Sequence, residues 1–219
     1  MKSYDQSTFH SMIKRGEHAY LDNASLISVD CSDQDLAGVN WSRVVAVDCQ
    51  FRSSDLSGSV FRHCKMTNAG FEAAEGCDVK FELCNLANSN WRGASLSGAS
   101  FHECKLTGAN FSETRLLGAL FQHCILREAF LRNVSFRKQT LEGLDFEGAD
   151  LAGADFRNAI FDDCSLRSSS LRLAKFSGAD LRGCDLGQIQ LSDAGVFRGS
   201  IVSKSQATDL LGGLGISVL

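Results

Sequence analysis

The stretch FEGAD-LAGAD-FRNAI-FDDCS (residues 146–165) consists of four consecutive five-residue units, each beginning with Phe or Leu. The same spacing runs from Leu21 to Val196 without a change of register: every fifth residue is large and apolar, with three exceptions in 36 positions. A second series, two residues before the first, holds mostly Ala, Cys, Ser, Thr or Val. A period of five fits neither an α-helix nor a β-strand, so the pattern predicts a solenoid of short repeats.

Four such units make one turn of the solenoid, so residues four units apart should stack at the spacing of neighbouring β-strands. Both series point inward, while the remaining three positions of each unit face solvent. The predicted fold is an all-β, four-sided parallel β-helix whose hydrogen bonds join successive coils. Residues 21–200 supply about nine coils. Residues 1–20 are predicted to form an N-terminal cap, and residues 201–219 a C-terminal helix and tail.

Composition narrows the class of protein. The chain has 219 residues and a formal net charge of −4, which argues against a general nucleic-acid-binding surface. It has no apolar run long enough to span a membrane and begins without the apolar segment of a secretory signal, so we expect a cytoplasmic protein.

Nine cysteines invite a metal or disulfide interpretation, but the repeat accounts for most of them. Seven lie in the small series, Cys31 lies in the large series, and Cys77 lies outside both. Free cysteine behaves as a small buried apolar residue, which is what an inward position requires. The period also points the histidines next to these cysteines outward. We therefore predict no metal site and no cofactor.

One unit departs from the pattern. Gly76 takes the place of a large inward residue, and its neighbours offer no good turn sequence. This predicts a cavity, bulge or projecting loop at Glu72, Glu75, Gly76 and Cys77. Irregular packing is the favoured explanation of such a bulge, because solenoids tolerate local irregularity; a partner contact is the alternative.

The C-terminal segment has helix signals of its own. Ser203 and Gln206 have the spacing of a capping box, and Gly215 is placed to end the helix. The apolar residues that follow at helical spacing and in the tail are Leu210, Leu211, Leu214, Ile216, Val218 and Leu219. We interpret this apolar surface as a homodimer contact; a helix that only seals the last coil is the alternative.

Units such as Ala149-Asp150-Leu151-Ala152-Gly153 resemble the pentapeptide-repeat family. The resemblance covers about 180 residues and implies a right-handed quadrilateral β-helix. The ending from Gly199 to Val218 resembles the C-terminal dimerisation segment of the Qnr and MfpA type, and the Gly76 unit is similar to the site of a small Qnr loop. This implies a dimer that binds DNA gyrase or topoisomerase IV and protects it from quinolones, hence antibiotic resistance, with DNA mimicry as the mode of binding. The second, larger Qnr loop would break the register, and no break occurs between Phe81 and Leu191.

Outward charges can be sorted by face, and one face carries the largest negative excess. Its acidic strip is Glu82, Glu103, Glu142, Asp162, Asp163 and Asp180. Duplex DNA is much more densely charged, at about one charge per 1.7 Å, so mimicry would rest on shape together with this acidic strip. Charged outward residues that only keep a solenoid soluble remain an alternative for each of these positions.

Two classes of function remain. One is the topoisomerase-binding protein, and the other is a non-catalytic scaffold that binds a different protein through one face. An enzyme is not expected, because the repeat scatters the His and Asp residues and provides no nucleophile triad or phosphate-binding loop.

Overall fold

The computed structural model describes residues 1–26, 28–187, 195–213 and 215–217. The chain divides into two compact units, Met1–Ile125 and Leu126–Leu219. Each unit is described by itself. We name them unit 1 and unit 2.

The described residues of unit 1 form one α-helix, α1 (Gln6–Arg15), a short 3-10 helix (Glu17–Ala19) and eight three-residue strands. The strands are β1 (Lys2–Tyr4), β2 (Tyr20–Asp22), β3 (Ala24–Leu26), β4 (Asn40–Ser42), β5 (Val60–Arg62), β6 (Lys80–Glu82), β7 (Ser100–His102) and β8 (Leu120–Gln122). Unit 2 contains β9 (Thr140–Glu142), β10 (Ile160–Asp162), β11 (Cys164–Ser165), β12 (Cys184–Asp185), a 3-10 helix (Gly195–Phe197) and α2 (Lys204–Gly213).

The strand register confirms the predicted coil. In unit 1, Trp41 lies opposite Phe61 and Phe61 opposite Phe81, and each pair of strands is parallel. In unit 2, Phe161 lies opposite Leu141 in the same way. Partners are therefore four pentads apart along the chain. The fold is a parallel β-helix with a short C-terminal α-helix, as the period predicted.

Most of the described five-residue repeats place a left-handed residue at the same turn position. In the five-residue repeat that begins at Trp91, Gly93 has a φ of +71° and the Ala94 N–H donates to the Trp91 carbonyl at 2.9 Å. A left-handed residue at this position explains why Gly, Asn and Asp are common there. The remaining backbone groups pair with the coils before and after, so buried carbonyls and amides stay hydrogen-bonded.

Both inward series are buried at most of their described positions, as predicted. In unit 1 the rings of Phe51, Phe71, Trp91 and Phe111 form one stack, with centroid separations of 4.9, 3.9 and 6.1 Å. A second stack is formed by Phe61, Phe81, Phe101 and Phe121. Each fully buried aromatic side chain contributes about 1.5–3 kcal/mol. The stacks also contact each other edge to face, which adds attraction beyond burial.

Where the small series carries Ser, Thr or Cys, several of these side chains form a hydrogen bond at the corner. The Ser59 hydroxyl donates to the Leu36 carbonyl at 2.7 Å, and the Cys84 thiol donates to the Phe61 carbonyl at 3.3 Å. Donor and acceptor lie in neighbouring coils. The bond therefore gives Cys, Ser and Thr a structural role that Ala cannot fill.

The N-terminal segment packs on the first coils of unit 1. Strand β1 pairs with β3, and the Asp5 carboxylate caps α1 by accepting from the Thr8 N–H at 2.8 Å. Phe9 and Met12 are buried, and the Phe9 ring meets the Trp41 ring edge-on at 6.1 Å. This contact covers the apolar end of the ring stacks.

The predicted bulge at Glu72, Glu75, Gly76 and Cys77 is not formed. Glu75 bridges both Asp55 and Ser95 in the parallel ladder, and the Gly76 N–H donates to the Ser95 carbonyl at 2.8 Å. A β-carbon on Gly76 would lie 2.8 Å from Leu96 Cδ2. Leu96 of the next coil therefore occupies the space that a large residue would fill, and the coil continues in register.

Candidate partner-binding surface

Two residues of the acidic strip lie in unit 1, at the ends of neighbouring strands. Glu82 ends β6 and pairs with Arg62 of β5, with 2.7 Å between Glu82 Oε2 and Arg62 Nε. Glu103 follows β7, and 3.6 Å separate its carboxylate from His102 Nδ1. The Glu103 side chain is about half exposed, at 49%. Arg62 neutralises Glu82, so Glu103 is the carboxylate of this pair that is available to a partner.

The other four residues lie in unit 2. Glu142 of β9 lies directly opposite Asp162 of β10, and Asp163 follows Asp162 in a left-handed turn with a φ of +49°. Asp162 and Asp163 are both exposed. Like charges directly opposite each other on adjacent strands repel.

Asp180 is placed differently from its neighbours in the strip. Its carboxylate pairs with Arg182 at 2.6 Å. The hydrogen bond from Arg182 holds the pKa of Asp180 below its usual range. The positive charge beside it cancels its contribution to an acidic surface. The sequence pattern put Asp180 in the acidic strip because it could not show this pairing.

The predicted capping box is formed at the start of α2. The Ser203 N–H donates to Gln206 Oε1 at 2.7 Å, and the Gln206 N–H donates to Ser203 Oγ at 3.2 Å. Gln206 Nε2 also donates to the carbonyls of Leu181 and Cys184, both at 2.7 Å. These bonds tie α2 to the last coil of unit 2. At the other end, Gly215 has a φ of +74° and ends the helix as predicted.

The apolar residues proposed for dimerisation differ in exposure. Leu211 is 36% exposed and Ile216 is 50% exposed. Leu210 faces the last coil instead, where it lines a cavity of about 110 Å³ with Leu186 and Asp209. Leu214, Val218 and Leu219 lie outside the described residues. Within the described part, Leu211 and Ile216 are the predicted contact residues that present apolar surface.

Sequence reasoning missed several exposed apolar residues of unit 1, among them three leucines. Leu83 is 46% exposed, Leu117 is 82% exposed and Leu120 is 51% exposed. All three leucines occupy outward positions of their five-residue repeats, where polar residues are the rule. That departure from the pattern is the sequence signal that could have identified them.

The cysteines are placed as the repeat predicted. All nine are free thiols, eight of them are buried, and Cys77 is exposed. Burial raises the pKa of Cys49 and of Cys164 to about 11, which keeps these thiols protonated. Across the described residues, no group of three or more His, Cys, Asp or Glu side chains could hold a metal ion. The helices described are too short and too polar to cross a bilayer.

Comparison with known proteins agrees with this geometry. A search of curated proteins finds no match. Among solved structures, a trypsin-treated variant of QnrB1, described as a plasmid-mediated fluoroquinolone resistance protein, superimposes with a TM-score of 0.80. It is 23% identical, and the match covers 91% of this chain and 100% of that one. Full-length QnrB1 gives a TM-score of 0.76 at 22% identity, covering 90% and 99% of the two chains. At 22–23% sequence identity, the structural similarity to QnrB1 establishes the fold alone.

Two family profiles cover most of the repeat. The profile described as a pentapeptide repeat region matches residues 74–145. The profile of pentapeptide repeats in eight copies matches residues 24–62, 47–75 and 149–188. Together with the parallel coils, the left-handed turn in most described repeats and the two mostly buried series, these matches assign the chain plainly: it belongs to the pentapeptide-repeat family.

Proposed function

We propose that this protein is a dimer that binds DNA gyrase or topoisomerase IV by imitating DNA and protects the enzyme from quinolones or related poisons. The observation that carries the proposal is the likeness in fold to QnrB1 over nearly the full length of both chains. QnrB1 is described as a fluoroquinolone resistance protein. The five-residue register continues without a break from Phe81 to Leu191, so no inserted loop interrupts the repeat pattern there.

The C-terminal segment supports the dimer. Its resemblance to the Qnr and MfpA type rests on the Ser203–Gln206 spacing and the apolar residues that follow. The capping box formed by Ser203 and Gln206 begins α2, and Leu211 and Ile216 are exposed beyond it. A second copy covering these side chains would remove apolar surface from water, at about 25 cal/mol per Å².

The carboxylates supply the DNA-like charge. Glu103 in unit 1 and Asp162 and Asp163 in unit 2 are exposed, and each lies at or just after the end of a strand. A basic DNA-binding groove would attract them, and salt would weaken that attraction because the charges face solvent. We expect the affinity for the topoisomerase to fall as the salt concentration rises.

A supercoiling assay tests the proposal. Relaxed plasmid and gyrase are titrated with this protein, with and without a fluoroquinolone, and the assay is repeated with topoisomerase IV. Rescue of supercoiling in the presence of the drug is the expected result. Inhibition without rescue would support binding and contradict protection. No effect on either enzyme would contradict the proposal.

Charge reversal then tests the surface. Glu103→Lys combined with Asp162→Lys should weaken the effect on gyrase. The matched control is Glu128→Lys combined with Asp33→Lys, which reverses two exposed carboxylates outside the acidic strip. Glu128 and Glu103 both occupy the left-handed turn position, with φ values of +56° and +52°. Equal effects of the two double variants would show that net charge alone matters.

The alternative function is a non-catalytic scaffold that binds another protein. The exposed side chains of Leu117 and Leu120 favour it, because apolar contacts are typical of protein–protein surfaces and DNA-like surfaces do not need them. Capture from a lysate of the host, followed by identification of the bound protein, separates the two functions. Recovery of topoisomerase subunits supports the first, and recovery of a different protein supports the second.

A further inference from the structure

Leu83 has an unusual backbone for its residue type. It follows β6 directly and has a φ of +55°, in the left-handed region. Gly, Asn and Asp adopt this conformation with little strain, whereas Leu suffers a clash between its β-carbon and the following carbonyl. Most described residues at the equivalent turn position are glycine or polar. Leucine is therefore less favourable for folding at this position than glycine or asparagine would be.

The Leu83 side chain lies outside the buried core. It is 46% exposed, so only part of its surface is covered by the fold. The hydrogen bond that joins this residue to the next coil uses the backbone: the Leu83 N–H donates to the His102 carbonyl at 2.9 Å. Any residue except proline would make that bond. The half-exposed apolar side chain at a left-handed position is therefore available for binding.

The surroundings indicate the chemistry of the partner. Glu82 precedes Leu83, and Glu103 occupies the same turn position in the next coil. Arg62 neutralises Glu82, while Glu103 keeps a half-exposed carboxylate. The surface therefore consists of one projecting apolar side chain with a negative charge beside it. Its complement is a shallow apolar pocket with a lysine or arginine at its rim.

We infer that Leu83 is an anchor residue of the partner-binding surface, inserting into an apolar pocket beside a cationic side chain on the DNA-binding surface of the topoisomerase. The inference rests on the proposed function and adds to it, because carboxylates alone would bind any basic groove. An apolar anchor that must enter a pocket makes the contact selective for one protein surface.

The test separates binding from stability. Leu83→Asn relieves the strain, so the variant should unfold at an equal or higher urea concentration than the wild type. Its dissociation constant for gyrase or topoisomerase IV, measured by biolayer interferometry, should rise about tenfold or more. Ala73→Asn is the control: Ala73 is exposed in unit 1, with a φ of +56° at the same turn position of another face. This control should leave the dissociation constant unchanged.

A charge arm completes the test. Glu103→Gln should reduce the salt dependence of binding, whereas Leu83→Asn should leave that dependence unchanged. A dissociation constant for Leu83→Asn within about twofold of the wild type, or an equal loss in the Ala73→Asn control, overturns the anchor role alone. If the wild-type chain binds neither topoisomerase, the proposed function fails and the inference fails with it.

Discussion

The Oδ1 atom of Asn88 lies 2.5 Å from the position that a β-carbon on Gly108 would occupy. Both residues hold the left-handed turn position in successive coils, with φ values of +57° and +68°. Asn88 Nδ2 donates to Asn68 Oδ1 at 3.3 Å, and Asn68 Nδ2 donates to Asp48 Oδ1 at 2.9 Å. The side-chain ladder thus ends at a glycine, because the last amide occupies the space above it.

Gly108→Ala should therefore destabilise the protein for two reasons. The left-handed conformation disfavours alanine by about 1–2 kcal/mol, and the new methyl group also collides with Asn88. Gly93→Ala is the matched control in unit 1, since Gly93 has a φ of +71° and nothing within 4 Å of its β-position. Urea unfolding should give a larger loss of free energy for Gly108→Ala. Equal losses would mean that Asn88 moves away freely.

Thiol labelling should distinguish the exposed cysteine from the buried ones. A chromogenic disulfide reagent should react quickly with Cys77 in the native protein and with all nine thiols after denaturation. The neighbouring Asp78 charge raises the pKa of Cys77, so the native reaction should accelerate as the pH rises. Cys77→Ser should abolish it. Rapid reaction of further thiols in the native state would contradict the buried series.

Acid should reveal the contribution of one ion pair. The hydrogen bond from Arg157 lowers the pKa of Asp155 from 3.8 to about 2. Because the folded value is the lower one, the carboxylate stabilises the fold above the ordinary pKa. This stabilisation is lost as the pH falls from about 4 towards 2. The stability difference between the wild type and Asp155→Asn should shrink across that interval in urea titrations at fixed pH.

Arg157→Gln is the control for this titration. It keeps the Asp155 carboxylate and removes the guanidinium, whose Nε donates to Asp155 Oδ1 at 2.8 Å. The stability of this variant should change less than that of the wild type between about pH 4 and pH 2. The ion-pair explanation fails if the two proteins respond alike.

The dimer can be tested at the exposed face of α2. Leu211→Asp places a charge where apolar contact is proposed, and burying an unpaired carboxylate is strongly unfavourable. Light scattering after size exclusion should give the mass of one chain for this variant. Thr208→Asp, at an exposed position of the same helix, should keep the mass of two. A dimer that survives Leu211→Asp would place the interface elsewhere.

The fold could be predicted because its determinants are local and repeated. A large residue at every fifth position and a small one two residues earlier specify which side chains point inward, whatever lies outside. Thiols such as Cys84 and the capping pair Ser203 and Gln206 were placed correctly for the same reason: each follows from a short spacing. The candidate partner-binding surface was harder to predict from the sequence, because the five-residue period does not constrain the identity of outward residues.

Sequence alone thus determined the coil, the buried series and the signals that begin and end α2. The tertiary structure decided which side chains of neighbouring coils contact each other. Leu96 occupies the space beside Gly76. Glu82 pairs with Arg62, and Asp180 pairs with Arg182. Leu83 stays partly exposed, one coil away from Glu103. The physical reason is that these outcomes depend on residues brought together by stacking. Their charge, size and exposure are set by neighbours in space, which the five-residue period does not specify.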